Sequence, residues 1–302
     1  MIKSIYVFNY VGDGIQIELG DGEPEHGMII TNIEGIGPPK ATISMTNVYS
    51  MDGSLFNSAR VASRNIVLTL SFSFAPTIED SRLRTYKYFP VKKPLTMYIE
   101  TDNRFVQTTG YVETNNPEIF SDQEHTQISI VCDDPYFYSV ETNATIFFGT
   151  APLFEFEFSN ESLTDSLIEF GRIENSYEKT IYYDGDFDVG VQIFIHATGE
   201  SGDITIYNTG TREMMLIYND IIEQITGSGI VTGDDIIINT KRGEKSITLL
   251  RGGIYINILN ALDKDSSWFT LAQGDNTFAY EASFGSEFLI FEIDNQIAYE
   301  GV

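Results

Sequence analysis

Residues 64–139 place the strongest constraint on the fold, because they combine strand-like segments with the single segment that is typical of a helix. The segment RNIVLTLSFSF comes first, TIEDSRLRTYKY follows, and PLTMYIE, RFVQTTGYVET and TQISIVC lead into DDPYFYS. Thr77 is a good N-cap, Asp80 lies three residues further on, and Pro90 cannot continue a helix. The pattern predicts one helix, over about residues 77–89, within a β-rich domain.

The remainder of the chain consists of short apolar segments separated by turn residues. The apolar residues alternate from Val189 to Ile195 and again over residues 154–158, as they do in strands with one buried face. The segments DIIINT and KSITLL flank KRGEK, which predicts a hairpin with Gly243 in the left-handed conformation. Many short strands without further helix signals predict an all-β chain with one helix and imply a sandwich or a jelly roll.

The charge is unevenly distributed and suggests a division near residue 140. The net charge is −26, and residues 1–140 hold 10 Lys+Arg and 17 Asp+Glu, whereas residues 141–302 hold 8 and 27. We therefore predict two domains, 1–139 and 140–302. Whether the segment FLIFEIDNQIAYEGV stays in the second domain or returns to the first is left open.

The same acidic excess excludes several partner classes. Nucleic-acid binding needs basic tracks along the phosphates, and anionic membrane surfaces attract basic segments. The sequence contains no run of the roughly 20 apolar residues that a membrane helix needs. The N-terminal segment breaks at Gly within about a dozen residues, unlike a signal peptide, so we expect synthesis in the cytosol.

Catalytic chemistry finds little support. His26, His125 and His196 occur in unrelated strand or turn settings, without a GxSxG, HxH or HExxH motif beside them. Cys132 is the only cysteine and lies inside a strand pattern, which favours a small buried hydrophobic residue over a nucleophile. We predict no enzymatic activity and no cofactor.

One acidic loop has the spacing of a calcium site. Asp184, Asp186 and Asp188 occupy alternate positions, as the first ligands of an EF-hand do. Val189 and Ile195 stand where the EF-hand needs Gly and Glu, however. A solvated acidic turn is the preferred interpretation, a weak adventitious cation site is the alternative, and no metal site is predicted.

The segment from Ala41 to Arg64 differs from its surroundings. Its periodicity is weak, it contains Asp52-Gly53 and several small polar residues, and it is too long for an ordinary hairpin loop. Long structured excursions of this kind usually serve binding.

The order of these segments resembles the siphophage distal tail protein family (Dit). The matching N-terminal segments are IEGIGPPKATISM, DGSLFNSAR, RNIVLTLSF, YKYFPVKKPLTMYIE, GYVE and CDDPYFYS. The C-terminal half resembles the second domain of longer members, through GDFDVGVQIFIHATG, IYNTGTREMM, IIINTKRGEKSI and SSWFTLAQGDNTFAYEA. Together these segments extend over nearly the whole chain.

The resemblance implies both a fold and a function. Members have an N-terminal β-sandwich with one helix and an extended belt loop, followed by a galectin-like β-sandwich, and they form a ring at the tip of long non-contractile tails. For this chain that implies a structural virion protein in a homohexameric ring at the tail tip. Its expected partners are other copies of itself, the tail tube protein, the tail-tip hub protein and receptor-binding or baseplate proteins.

Residues in the belt-like excursion are the expected oligomer contacts. If residues 41–64 reach onto a neighbouring subunit, as the family's belt does, then Asn57, Arg60 and Arg64 lie where they can contact it. The less acidic N-terminal domains would form the ring, since contacts between them bring fewer like charges together.

The alternative function is a carbohydrate-binding adhesin module of a phage tail tip, with Trp268 stacking on a sugar. We prefer Trp268 as a core residue of the alternating segment SWFTL. Galectin sugar sites need a polar cluster after the corresponding His and Trp, whereas here Ala197 follows His196 and Phe269 follows Trp268. The sequence therefore favours a protein-docking role for the second domain.

Overall fold

Strands make up most of the regular structure in the computed structural model, which describes residues 1–20, 24–47, 49, 52–120, 124–152 and 171–302. This confirms the all-β class. The strands up to residue 139 are β1 Ile2–Asn9, β2 Gly14–Leu19, β3 Met28–Glu34, β4 Ala41–Asn47, β5 Ser54–Val61, β6 Arg64–Phe72, β7 Pro94–Thr101, β8 Phe105–Glu118, β9 His125–Cys132 and β10 Phe137–Ser139. Those that follow are β11 Asn143–Ile146, β12 Phe148–Pro152, β13 Gly171–Asn175, β14 Glu178–Tyr183, β15 Val189–Gly190, β16 Gln192–Ala197, β17 Ile204–Asn208, β18 Glu213–Ile217, β19 Asp235–Asn239, β20 Ser246–Arg251, β21 Ile254–Asn257, β22 Thr270–Leu271, β23 Gly274–Ala282, β24 Leu289–Asn295 and β25 Ala298–Tyr299.

The described helices are short. They are α1 Ile78–Tyr88, α2 Asn219–Thr226 and the 3-10 helices Leu259–Ala261 and Ser286–Phe288. Within the described ranges, every helix is too short or too polar to cross a bilayer. The strand expected over residues 154–158 lies outside the described residues.

The chain divides into two compact units. Unit 1 comprises Met1–Glu141 and Ala298–Val302, and unit 2 comprises Thr142–Ile297. The predicted second domain extended to residue 302, whereas in the structure the last five residues, 298–302, belong to unit 1. Strand β24 stays in unit 2, whereas β25 pairs with β10 of unit 1, with Tyr299 opposite Phe137.

Unit 1 is built around one sheet that closes on itself. Its strand order is β25-β10-β8-β7-β1-β2-β3-β6-β9, and β8 also pairs with β9. The long strand β8 makes this closure, because its first half pairs with β7 and its second half, from Tyr111 to Glu118, pairs with β9. The sandwich expected here is thus one continuous sheet around an aliphatic core that includes Ile5, Val7, Ile66, Leu68, Met97 and Ile128.

Helix α1 begins where the sequence predicted. The Thr77 hydroxyl accepts a hydrogen bond from the Asp80 backbone N–H at 3.1 Å and donates to the Asp80 carboxylate at 2.6 Å. The helix buries Ser81 and Thr85, and it leaves Leu83 exposed.

Unit 2 is a sandwich of two main sheets, with two further two-stranded pairs, β12-β13 and β15-β22. One main sheet has the order β11-β24-β16-β19-β20-β21 and the other β14-β23-β17-β18. Aromatic rings fill the centre, where Phe291 stacks on Tyr280 at 4.7 Å between ring centroids and meets Phe147 edge-on at 4.9 Å. The hairpin of β19 and β20 is confirmed, with Gly243 at a φ of 84°.

The prediction of a single helix is corrected by α2. Its N-terminal residue follows Tyr218, which makes no side-chain cap hydrogen bond. The cap comes instead from a distant strand end, because the Asp203 carboxylate accepts a hydrogen bond from the Asn219 backbone N–H at 2.7 Å. The helix ends at Gly227, which adopts the left-handed conformation at a φ of 85°.

Burial of Tyr280 predicts alkaline sensitivity. Desolvation raises the pKa of its phenol from 10.0 to about 12, so the folded state keeps the proton while the unfolded chain loses it. The contribution to stability is complete below pH 10 and falls by about 1.4 kcal/mol per pH unit up to about pH 12. We expect urea unfolding at several pH values to show a steeper loss above pH 10 for the wild type than for Tyr280→Phe. Equal slopes for the two proteins would contradict this assignment.

Candidate functional site

The strands β4 and β5 form a hairpin that is exposed on both faces. Among the described residues, each of these strands is hydrogen-bonded only to the other. Every residue of β4 is exposed, and so is every residue of β5 before Val61. The excursion expected between Ala41 and Arg64 is therefore a two-stranded arm of unit 1.

One face of this arm is apolar. Ile43 lies opposite Ala59 and Met45 lies opposite Phe56, and residues opposite one another in an antiparallel pair share a face. The exposed fractions of Ile43, Met45 and Phe56 are 54%, 56% and 64%. We call this set, with Ala41 and Val61 at the base, the apolar arm face. The other face is mostly polar and includes Thr42, Ser44, Ser58 and Arg60.

A β-bulge at Asn57 keeps the apolar arm face continuous. The register shifts between Ser44, opposite Ser58, and Met45, opposite Phe56, which leaves Asn57 unpaired. The Asn57 side-chain amide donates to the Thr46 hydroxyl at 2.6 Å. Without the register shift, Asn57 would lie opposite Met45, and Phe56 would turn to the polar face.

An exposed hairpin of this kind needs a partner that covers its apolar face. A single two-stranded hairpin is marginally stable in water, since it needs further strands or a packed face to bury apolar surface. Three large apolar side chains on one side also form a contiguous exposed patch, which marks interaction sites. The arm is the strongest candidate for an assembly surface in the described part of unit 1.

Arg64, which the sequence predicted as an oligomer contact, is buried inside unit 1. Its side chain is only 4% exposed. The guanidinium donates to the carbonyl oxygens of Pro135, Gly35, Gly37 and Glu300 at distances of 2.5 to 2.7 Å. Burial lowers the pKa of the guanidinium. Arg64 thus organises the interior of unit 1, while Asn57 and Arg60 lie exposed on the arm.

Two arginines hold the C-terminal segment against unit 1. Besides the bond of Arg64 to a carbonyl near the C-terminus, Arg104 donates to the Gly301 carbonyl at 2.8 Å. Each guanidinium also lies over an aromatic ring, Arg64 over Phe137 at 4.4 Å and Arg104 over Tyr299 at 4.1 Å. These contacts fix β25 at the edge of the sheet.

Trp268 is neither a core residue nor an open stacking platform. It is half-buried and precedes β22, while the neighbouring Phe269 is fully buried. The Lys245 ammonium lies 5.4 Å from the centroid of the Trp268 ring and covers one of its faces. The expectation that Trp268 fills the core is therefore corrected, and a sugar would have to displace Lys245 or use the opposite face.

Among the described residues, the other candidate metal-binding and catalytic side chains do not form a site. Within the described ranges, no three His, Cys, Asp or Glu side chains are grouped so that they could hold a metal ion. In the acidic loop the Tyr183 hydroxyl donates to the Phe187 carbonyl at 2.7 Å, which organises the turn through neutral groups. Cys132 is fully buried, and desolvation raises the pKa of its thiol, which disfavours the reactive thiolate.

Comparisons with known proteins establish the fold. No protein-family model and no curated protein matches the sequence. The Dit protein of phage SPP1, described as a paradigm of the hub adsorption apparatus in phages that infect Gram-positive bacteria, matches with a TM-score of 0.63 and 13% identity, over 98% of this chain and 99% of that chain. A chain of the phage P2 baseplate in its activated conformation with Ca matches with a TM-score of 0.50 and 11% identity, over 98% of each chain. The chain has the fold of a distal tail protein.

Proposed function

We propose that this chain is a structural subunit of a phage tail-tip hub, and that copies of it join into a ring through unit 1. The observation that carries the proposal is the two-stranded arm, whose apolar face has no cover within the described part of its own chain. The fold shared with the SPP1 hub protein supports it.

A head-to-tail arrangement suits such an arm. In a closed ring each subunit offers one surface to the copy ahead and a different surface to the copy behind. An arm that reaches onto one neighbour supplies the first surface without being self-complementary. Six copies are what the family resemblance implies.

The charge distribution favours contacts through unit 1. Unit 1 holds 10 Lys+Arg and 19 Asp+Glu, a net charge of −9, whereas unit 2 holds 8 and 25, a net charge of −17. Repulsion between exposed charges is screened beyond about 8 to 10 Å at physiological salt, so only groups near the interface count. An interface made by unit 1 brings the smaller number of like charges together.

In this role the protein acts through protein contacts in the virion. The ring would join the tail tube to the tail-tip and receptor-binding proteins, and unit 2 would serve as a docking module for such a partner. The proposal involves no cofactor and no catalytic step.

The arm gives a direct test of the ring. We expect the double variant Met45→Ser/Phe56→Ser to be monomeric under conditions where the wild type is a ring. Burial of one such side chain contributes about 1.5–3 kcal/mol, so two losses weaken each contact by roughly 10²- to 10⁴-fold. Native mass spectrometry and light scattering at moderate salt measure the outcome.

A matched control lies on the other face of the same arm. Leu55 is 51% exposed and pairs with Thr46 on the mostly polar face, so Leu55→Ser removes apolar area from the same arm without touching the apolar arm face. We expect this variant to keep the ring. An intact ring in the double variant would refute the role of the arm, and a wild type that stays monomeric at all concentrations would refute the ring itself.

The adhesin alternative makes a different prediction. A monomeric chain that binds glycans and loses this binding in Trp268→Ala would support the alternative over the hub. The Lys245 ammonium over one face of the Trp268 ring leaves at most the opposite face for a sugar, which weakens this alternative.

A further inference from the structure

We infer that the apolar arm face docks into an aromatic groove on unit 1 of the neighbouring copy of this chain. The inference rests on the proposed ring, and it names the second of the two surfaces that a closed head-to-tail contact requires. The groove is lined by residues 8–12, residues 94–96 and Tyr98, and its volume is about 510 Å³. We call it the aromatic groove.

The groove exposes apolar surface at its rim and in its wall. Tyr10 and Val11 are 55% and 67% exposed at its rim, and Phe8 is 40% exposed in its wall. None of the residues that line it belongs to the arm, so the arm of the same subunit leaves it open. Unit 1 therefore carries two separate apolar surfaces, one on a projecting hairpin and one in a concave groove.

The walls of the groove are held in place before any partner arrives. The Asn9 side-chain carbonyl accepts hydrogen bonds from the Val11 and Asp13 backbone N–H groups at 3.0 and 2.9 Å. The Asn9 amide donates to the Lys87 carbonyl at 3.1 Å, which ties the turn to helix α1. Tight fixing of the rim lowers the ordering cost of association.

Aromatic contacts fix the groove wall as well. Phe8 meets Tyr98 edge-on at 5.5 Å between ring centroids, and Tyr98 meets Phe105 at 6.1 Å. These rings line up across β1, β7 and β8 on the outer face of the sheet. A row of aromatic rings is a favourable surface for aliphatic and aromatic side chains such as Ile43, Met45 and Phe56.

The charges at the two surfaces are complementary. The Lys93 ammonium lies 5.1 Å from the centroid of the Tyr10 ring and places a positive charge at the groove rim. The turn of the arm carries Asp52, which is exposed. A second copy thus supplies an apolar face together with an acidic residue near the tip of the arm, and it does so from unit 1, the less acidic half of the chain.

A mixing experiment separates this contact from other ways of forming a ring. The arm variant Met45→Ser/Phe56→Ser keeps an intact groove, and the groove variant Tyr10→Ser/Val11→Ser keeps an intact arm. We expect each to be monomeric alone and folded by circular dichroism. Mixed in equal amounts, they should form a heterodimer and nothing larger, because only one of the two possible contacts between them is intact. Native mass spectrometry with one variant mass-tagged identifies the pair.

Charge reversal gives an independent measurement that leaves the apolar surfaces unchanged. We expect Asp52→Lys and Lys93→Glu each to weaken ring formation by roughly fivefold per contact, the effect of about 1 kcal/mol, and the double variant to recover most of the loss. Additive weakening in the double variant would overturn the pairing of arm and groove.

The outcomes distinguish this inference from the proposed function. If the groove variant still forms rings while the arm variant is monomeric, the ring stands and the groove is not its acceptor. If both variants are folded monomers whose mixture yields no heterodimer, the inference also fails. A monomeric wild type would instead overturn the proposed ring.

Discussion

Replacing Arg64 with alanine is expected to lower the free energy of unfolding by about 4 kcal/mol. Four carbonyl oxygens inside unit 1 would lose their shared charged donor. A hydrogen bond to a charged group contributes about 1.5–3 kcal/mol, and four bonds to one side chain do not add fully. Urea unfolding measures the loss as a lower midpoint with an unchanged slope.

Arg60 supplies the matched control for this prediction. It is the same residue type four positions earlier, but it lies exposed on the arm. We expect Arg60→Ala to change the free energy of unfolding by no more than about 0.5 kcal/mol, as is usual for surface substitutions. Equal effects of the two substitutions would mean that the buried cluster of carbonyls does not depend on Arg64.

The second large effect is expected in the core of unit 2. Phe291 is fully buried between Tyr280 and Phe147, so Phe291→Ala removes the central ring of a stacked cluster. Loss of a buried phenylalanine of this kind costs about 3–5 kcal/mol, because a cavity remains where the ring was.

Thermal and urea unfolding of the full chain test this loss. Tyr182→Ala is the comparison, since that ring is 72% exposed on β14 and its removal leaves no cavity. We expect the Tyr182 variant to unfold within about 0.5 kcal/mol of the wild type. A similarly small change in Phe291→Ala would show that the neighbouring rings close over the gap.

Local sequence signals sufficed for helix α1 and failed for α2. Thr77 and Pro90 both act within a few residues of the helix they delimit, so the sequence alone located it. The residue that caps α2 is Asp203, which lies beside the start of the helix in space but 16 residues before it in the sequence. Gly227 was the one local signal at its C-terminal end, and a single glycine does not identify a helix of eight residues.

The arm illustrates the same limit. The segment after Ala41 was predicted to serve binding, yet its strands were not, because the bulge at Asn57 interrupts the alternation of apolar residues in β5. Phe56, Ala59 and Val61 fall on one face only when Asn57, the extra residue of the bulge, is left out of the alternation. An alternation test on the sequence cannot detect such a face.

The expectations for Arg64 and Trp268 differ from the structure for separate reasons. The acceptors of Arg64 include the carbonyl of Glu300, which lies 236 residues away, and no pattern near the arginine announces it. The alternation around Trp268 was read as one strand, whereas β22 spans only Thr270–Leu271 and Phe269 takes the buried position. When a strand is as short as two residues, alternation cannot tell which of two neighbouring aromatic residues is buried.

The return of the chain at β25 makes unit 2 an insertion with both of its ends at one place. The polypeptide leaves the first sheet just after β10 and re-enters at the adjacent strand, where Ala298 lies opposite Tyr138. A tight turn of a few residues could bridge those two strands. Replacing unit 2 by such a turn would leave the parent sheet with all of its hydrogen-bonded neighbours, so unit 2 has the layout of an exchangeable cassette.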